Sequence, residues 1–114
     1  MQISERDKNV LEHIVNYCDE IESFVKRFGD DYSLFCKDKA YKNACSLDIL
    51  QIGELEVHLS DEFKAKTSEI PWKDIKSMRN IVAHGYGQLD MDTTWKTIKE
   101  DIPVLKKFCE EKLK

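Results

Sequence analysis

The sequence predicts an all-α protein, an antiparallel four-helix bundle with room for one short extra helix. Three observations predict it. Only two prolines and four glycines occur in 114 residues, so little punctuates the chain. Apolar residues recur every three or four positions over long stretches, the period of a helix with one buried face. No run alternates apolar and polar residues between hairpin turns, so no strand is expected. Four such helices with short connections favour antiparallel neighbours.

The first helix is predicted to begin at Ser4, whose hydroxyl can cap it with Asp7 three residues on. Leu11, Ile14, Cys18, Ile21, Val25 and Phe28 then form one stripe. Gly29 is placed to stop the helix, and Lys26 and Arg27 suit the negative end of its dipole. Asp30 to Lys37 connects, with space for a turn of helix. A second helix is predicted from Asp38 to Ser60. Its apolar residues (Tyr41, Ala44, Leu47, Leu50, Ile52, Leu55 and Leu59) wrap most of its circumference, which marks a central helix covered by neighbours or a second subunit. Gly53 inside it costs helix propensity and predicts that another helix backbone passes close by. Asp38 is read as its cap. Pro71 suits the first turn of a third helix, with Trp72, Ile75, Met78 and Val82 as its buried stripe and Gly85 and Gly87 as its end. The fourth helix is predicted from Met91 to Leu113, through Trp95, Ile98, Ile102, Leu105 and Cys109, with a kink at Pro103.

One compact domain spanning 1–114 accommodates this length. Hydrophobic residues make up 41% and charged residues 35%, too apolar for disorder and too broken by charge to span a membrane. The N-terminus lacks the basic-then-apolar pattern of a secretion signal, so the expected compartment is the cytoplasm. The four cysteines (Cys18, Cys36, Cys45 and Cys109) have irregular spacing and read as small, mostly buried hydrophobes. A net charge of −4 argues against indiscriminate nucleic-acid binding, and any RNA contact needs a local basic site such as Lys73, Lys76 and Arg79 supply. His13 and His58 stand alone without ligand spacing, so neither a metal nor another cofactor is expected. The lysines near the C-terminus alternate with glutamates and read as a solvated face.

The stretch MRNIVAHGYGQLD, Met78 to Asp90, carries the chemistry. At about 100° per residue, Asn80 and His84 lie far round from the buried stripe, and Arg79 flanks it with reach enough to approach them. Ile81 lies on the same outer side as His84, which hints at a partner there. Histidine exchanges protons near neutral pH. Arginine offers a fork of donors matched to phosphate. Asparagine orients either one, and tyrosine adds a hydroxyl. Such a set could cleave RNA without metal by helping a 2′-hydroxyl attack the adjacent phosphate. Glu54 is an acid in an otherwise apolar helix, either exposed or paired with a cation such as Arg79.

The run IPWKDIKSMRNIVAHGYGQLDMDTTWKTIKEDIPVL resembles the HepT-like branch of the HEPN superfamily, whose Arg-x4-His-x-Tyr motif falls on Arg79, His84 and Tyr86. ACSLDILQIGEL resembles the second helix of that family, with its Ile-Gly-Glu element at Ile52, Gly53 and Glu54. The resemblance covers roughly Phe35 to Leu105. It implies a HEPN-like helical-bundle homodimer that acts as the toxin of a toxin–antitoxin pair. The implied antitoxin is an MntA-like minimal nucleotidyltransferase. The resemblance further implies metal-independent cleavage of RNA (tRNA or mRNA) through catalytic Arg79 and His84, and the residue types themselves make Asn80 and Glu54 the supporting candidates. It makes Tyr86 the residue the partner modifies with AMP. The rival expectation is a non-catalytic HEPN module, in which the same residues bind a nucleotide or the partner's active site.

Overall fold

The computed structural model describes residues 2–84 and 91–114, with the backbone alone for Met78 and for 80–84. Among the described residues the regular structure is entirely helical. Helix α1 spans Glu5–Phe28. The Ser4 hydroxyl accepts from the Asp7 N–H at 3.1 Å, and the chain leaves the helix at Gly29 with φ 117°, a conformation that favours glycine. Leu11, Ile14, Cys18 and Ile21 are buried, with Val25 and Phe28 packed against the core. Asp7 does more than follow the cap. Its carboxylate accepts from the backbone N–H and the hydroxyl of Ser60, at 2.8 and 2.7 Å, and so fastens the start of α1 to the middle of the chain. Burial alone would raise the pKa of Asp7, but the bonds from Ser60 and Ser4 and the charge of Arg6 together outweigh it and hold the carboxyl below its ordinary value.

The connection after Gly29 contains a short helix, α2 (Tyr32–Lys37), capped by Asp31. Helix α3 (Lys39–Glu56) starts at its predicted cap, where the Asp38 carboxylate accepts from the N–H groups of Ala40 and Tyr41. It ends four residues before the expected Ser60. Instead, Ser60 caps a separate helix, α4 (Asp61–Lys66), that the apolar pattern did not announce. The physical reason is local: a Ser hydroxyl bonding the Phe63 N–H at 3.1 Å while its backbone N–H serves Asp7 starts a new helix. Helix α3 is central, packing on α1 along one side and on α5 (Trp72–His84) along another.

The C-terminal helix is interrupted, not simply kinked. Helix α6 (Met91–Lys96) passes into a π-helical turn, Thr97–Asp101, before α7 (Ile102–Lys112). The Ile102 N–H reaches the Thr97 carbonyl five residues back. Pro103 has no N–H to give, and its ring crowds the carbonyl four residues earlier, so the backbone widens just ahead of it. Lys106 departs from the solvated face expected of the C-terminal lysines: its ammonium bonds Asp19 at 2.7 Å and Glu22 at 3.0 Å, tying α7 to α1. No described helix is long and apolar enough to cross a membrane.

Candidate active site

Helix α5 is anchored at its N-terminus. The Pro71 carbonyl accepts from the N–H groups of Asp74 and Ile75, so Pro71 stands just outside the first turn it was expected to occupy. The buried Trp72 donates its indole N–H to Thr67 at 3.1 Å, and Thr67 donates to the Phe63 carbonyl at 2.7 Å. Phe63 and Phe108 flank the Trp72 ring. Two turns beyond this anchor stands Arg79.

What places Arg79 is Gly53. A methyl group on Gly53 would overlap the Arg79 Cβ and lie 3.2 Å from both the Arg79 Cγ and the Ile75 carbonyl oxygen. The two helices touch there through the missing side chain, as the glycine in α3 predicted. The stem of Arg79 is thereby pressed on α3, and its Nη1 comes within 3.5 Å of a carboxylate oxygen of Glu54. The Glu54 side chain is 53% exposed and that of Arg79 23% exposed. An ion pair this open to water contributes little stability, roughly 0–1 kcal/mol. It leaves an acid and a guanidinium side by side where a ligand can reach them.

The structure brings together Arg79 and Glu54 of the expected site residues. Asn80 follows Arg79 on the α5 backbone and His84 closes that helix; their side chains, and those of Met78, Ile81 and Val82, lie outside the described ones. Tyr86, with Gly85 and Gly87, lies outside the described residues. Lys73 and Lys76, six and three residues before Arg79 on α5, are exposed. Beyond that stretch, Trp95 holds α6 in an aromatic cluster, its ring centroid 5.2 Å from Phe35 and 6.2 Å from Tyr41. Tyr41 in turn donates to the Gly29 carbonyl at 3.1 Å, and burial pushes its phenol up to about 12.

Asp48 escaped the sequence reading. It is buried on α3, with one carboxylate oxygen lacking a hydrogen-bond partner. The signal was present: Asp48 stands three residues after Cys45 and four before Ile52, on the stripe facing α1. Burial, and then the hydrogen bond and charge of Glu20, push its pKa up to about 7. The unfolded chain releases this proton near the usual value of ~3.9. Between those values the folded state holds more protons, so stability is full in acid and falls as pH rises towards neutrality. Thermal melts should show the midpoint dropping from pH 5 to pH 8, and Asp48→Asn should flatten that slope. An unchanged slope in Asp48→Asn would assign the dependence elsewhere.

A cavity of about 240 Å³ opens between α3, the N-terminal half of α5 and the C-terminal helix, lined by Ile52, Ile75 and Leu105 and rimmed by Asp74 and Asp101. It includes neither Arg79 nor Glu54. Among the described residues no group of three His, Cys, Asp or Glu side chains could share a metal ion. The described side chains at Arg79 form an anion clamp with a carboxylate beside it.

The sequence pattern of the family described as Ribonuclease HepT-like matches residues 14–111. The chain belongs to the HepT-like ribonuclease family. Similar proteins include "Putative RNase MJ1380" of Methanocaldococcus jannaschii, 33% identical over 95% of this chain and 98% of that protein. "Putative RNase TTE0752" of Caldanaerobacter subterraneus is 36% identical over 89% of this chain and 88% of its own length. "Probable ribonuclease HepT" of Thermococcus cleftensis is 37% identical over 87% and 88% respectively. No solved structure gives a significant match. The HepT-like match runs from within α1 into α7, so Gly53, Glu54, Arg79 and the whole Arg-x4-His-x-Tyr stretch lie inside it.

Proposed function

We propose that this HepT-like protein is the toxin of a type VII-like HepT/MntA toxin–antitoxin pair, an RNase that needs no metal. In this reading Arg79 clamps the scissile phosphate and His84 moves a proton. Asn80 and Glu54 support them. The observation that carries the proposal is Arg79 itself: the motif arginine stands part-exposed beside Glu54, its stem packed on α3 in the space that Gly53 leaves. The names of the relatives point to the same activity. We further infer a two-fold dimer with both motifs along one cleft. Leu47, 54% exposed, supports this, because it lies two turns before Glu54 on the same side of α3 and offers an apolar contact beside the site.

The partner in this reading is a minimal nucleotidyltransferase that adds AMP to Tyr86. The added phosphate would pair with Arg79 and the base would fill the space RNA needs. Purified protein should cut tRNA or mRNA in EDTA and leave a 2′,3′-cyclic phosphate or its hydrolysis product. Native mass spectrometry after co-expression with the cognate nucleotidyltransferase should show two copies carrying an AMP adduct that Tyr86→Phe abolishes. A requirement for Mg²⁺ would overturn the chemistry, and a modified protein that still cuts RNA would overturn the silencing. Protein that binds nucleotide with an intact motif yet cuts no RNA would favour the non-catalytic module.

A further inference from the structure

The geometry points to Glu54 as the general base of the cleavage reaction, an assignment that rests on the RNase reading above. Cleavage by an internal 2′-hydroxyl needs two proton transfers, one away from the nucleophile and one onto the leaving oxygen. Arginine does neither, because it does not lose its proton in proteins. In each copy the motif supplies His84, and the second group is drawn from Tyr86, the His84 of a second copy across the cleft, or an acid elsewhere in the fold; Glu54 is the one that the described side chains place beside the clamp. Glu54 is a carboxylate 3.5 Å from the guanidinium that would hold the phosphate. The attacking 2′-hydroxyl lies next to that phosphate, so a base beside the clamp stands beside the nucleophile. More than half of the Glu54 side chain is exposed, so it can turn from Arg79 to the substrate.

The step balances as follows. The 2′-oxygen bonds to phosphorus as its proton passes to Glu54. The bond between phosphorus and the 5′-oxygen breaks, and the His84 imidazolium donates its proton to the departing oxygen. Arg79 neutralises the non-bridging oxygens. The products are a 2′,3′-cyclic phosphate and a free 5′-hydroxyl. Glu54 ends protonated and His84 neutral, and exchange with water resets both.

A purely structural role, holding Arg79 in place, makes a different forecast from a base. As a base, Glu54 also repels the phosphate in the ground state. Its isosteric replacement Glu54→Gln should then bind uncleavable RNA as well as the wild type or better, while cleaving far more slowly. The experiment maps one cleavage step that the wild type makes in tRNA and places it in an oligonucleotide. It measures kcat, the affinity for the same oligonucleotide with a 2′-deoxy group at that step, and cleavage when sulfur replaces the leaving 5′-oxygen. Sulfur departs without a proton, so it rescues a variant lacking the acid but not one lacking the base. Glu54→Gln should lose about 100-fold or more in kcat, keep its affinity, and gain nothing from sulfur, whereas His84→Ala should be rescued by it. Cleavage by Glu54→Gln within a few-fold of wild type overturns the assignment. So does a parallel loss of affinity and kcat, or rescue by sulfur. A wild type that cuts no RNA overturns the RNase reading as well, so the two failures are distinct.

Discussion

Arg79→Ala is expected to lower RNA cleavage by about 100- to 1,000-fold, the usual consequence of removing one preorganised donor from a developing oxyanion. The protein should still fold. Glu54, with which Arg79 pairs, is more than half exposed, and losing that ion pair costs about 0–1 kcal/mol. Arg79→Lys should recover little, because an ammonium keeps the charge but not the two-pronged fork that matches phosphate. The measurement is initial-rate cleavage in EDTA beside circular-dichroism melts. Arg79→Ala that cuts RNA at the wild-type rate would remove Arg79 from the mechanism.

Gly53→Ala is expected to damage stability and activity together, although it touches no substrate. Its methyl group would meet the Arg79 Cβ and the Ile75 carbonyl, neither of which is the yielding end of a long side chain. Overpacking at such contacts costs about 1–3 kcal/mol, and the helix-propensity gain of alanine over glycine, roughly 0.5–1 kcal/mol, offsets only part. A net loss near 1 kcal/mol lowers the melting point of a domain this size by about 4–8 °C. To relieve the overlap, α5 must move away from α3 and carry Arg79 with it. A displacement approaching 1 Å costs about 100-fold in rate. Gly53→Ala with an unchanged melting point and unchanged cleavage would mean that the helices separate without moving Arg79.

These two residues also show what was legible beforehand. Gly53 could be read because glycine inside a helix otherwise only costs stability, so its presence signals a neighbour too close for a side chain. Glu54 was legible as an acid in need of explanation, and the fold showed it both exposed and paired with Arg79. The limits of α1 were legible because a serine hydroxyl and a positive-φ glycine act locally. What escaped depended on distant partners. Nothing near Asp7 says that Ser60, 53 residues on, will bond it and start α4. Nothing near Lys106 names Asp19 and Glu22. Asp48 shared the helical spacing of Cys45 and Ile52, but on a helix apolar round most of its circumference that spacing did not say which face α1 would cover.

The wide turn at Thr97–Asp101 alters how the end of the chain counts its residues. Thr94, Ile98 and Ile102 are all buried, at intervals of four. In a uniform α-helix a row stepping by four creeps about 40° round the axis at each step. A turn closed by a bond to the fifth residue back takes up more chain per revolution and counters that creep. Helices α6 and α7 can thus keep their apolar sides in phase across a break in the backbone pattern. The turn works as a one-residue vernier between Trp95, which holds α6 in its aromatic cluster, and Leu105, which holds α7 in the core.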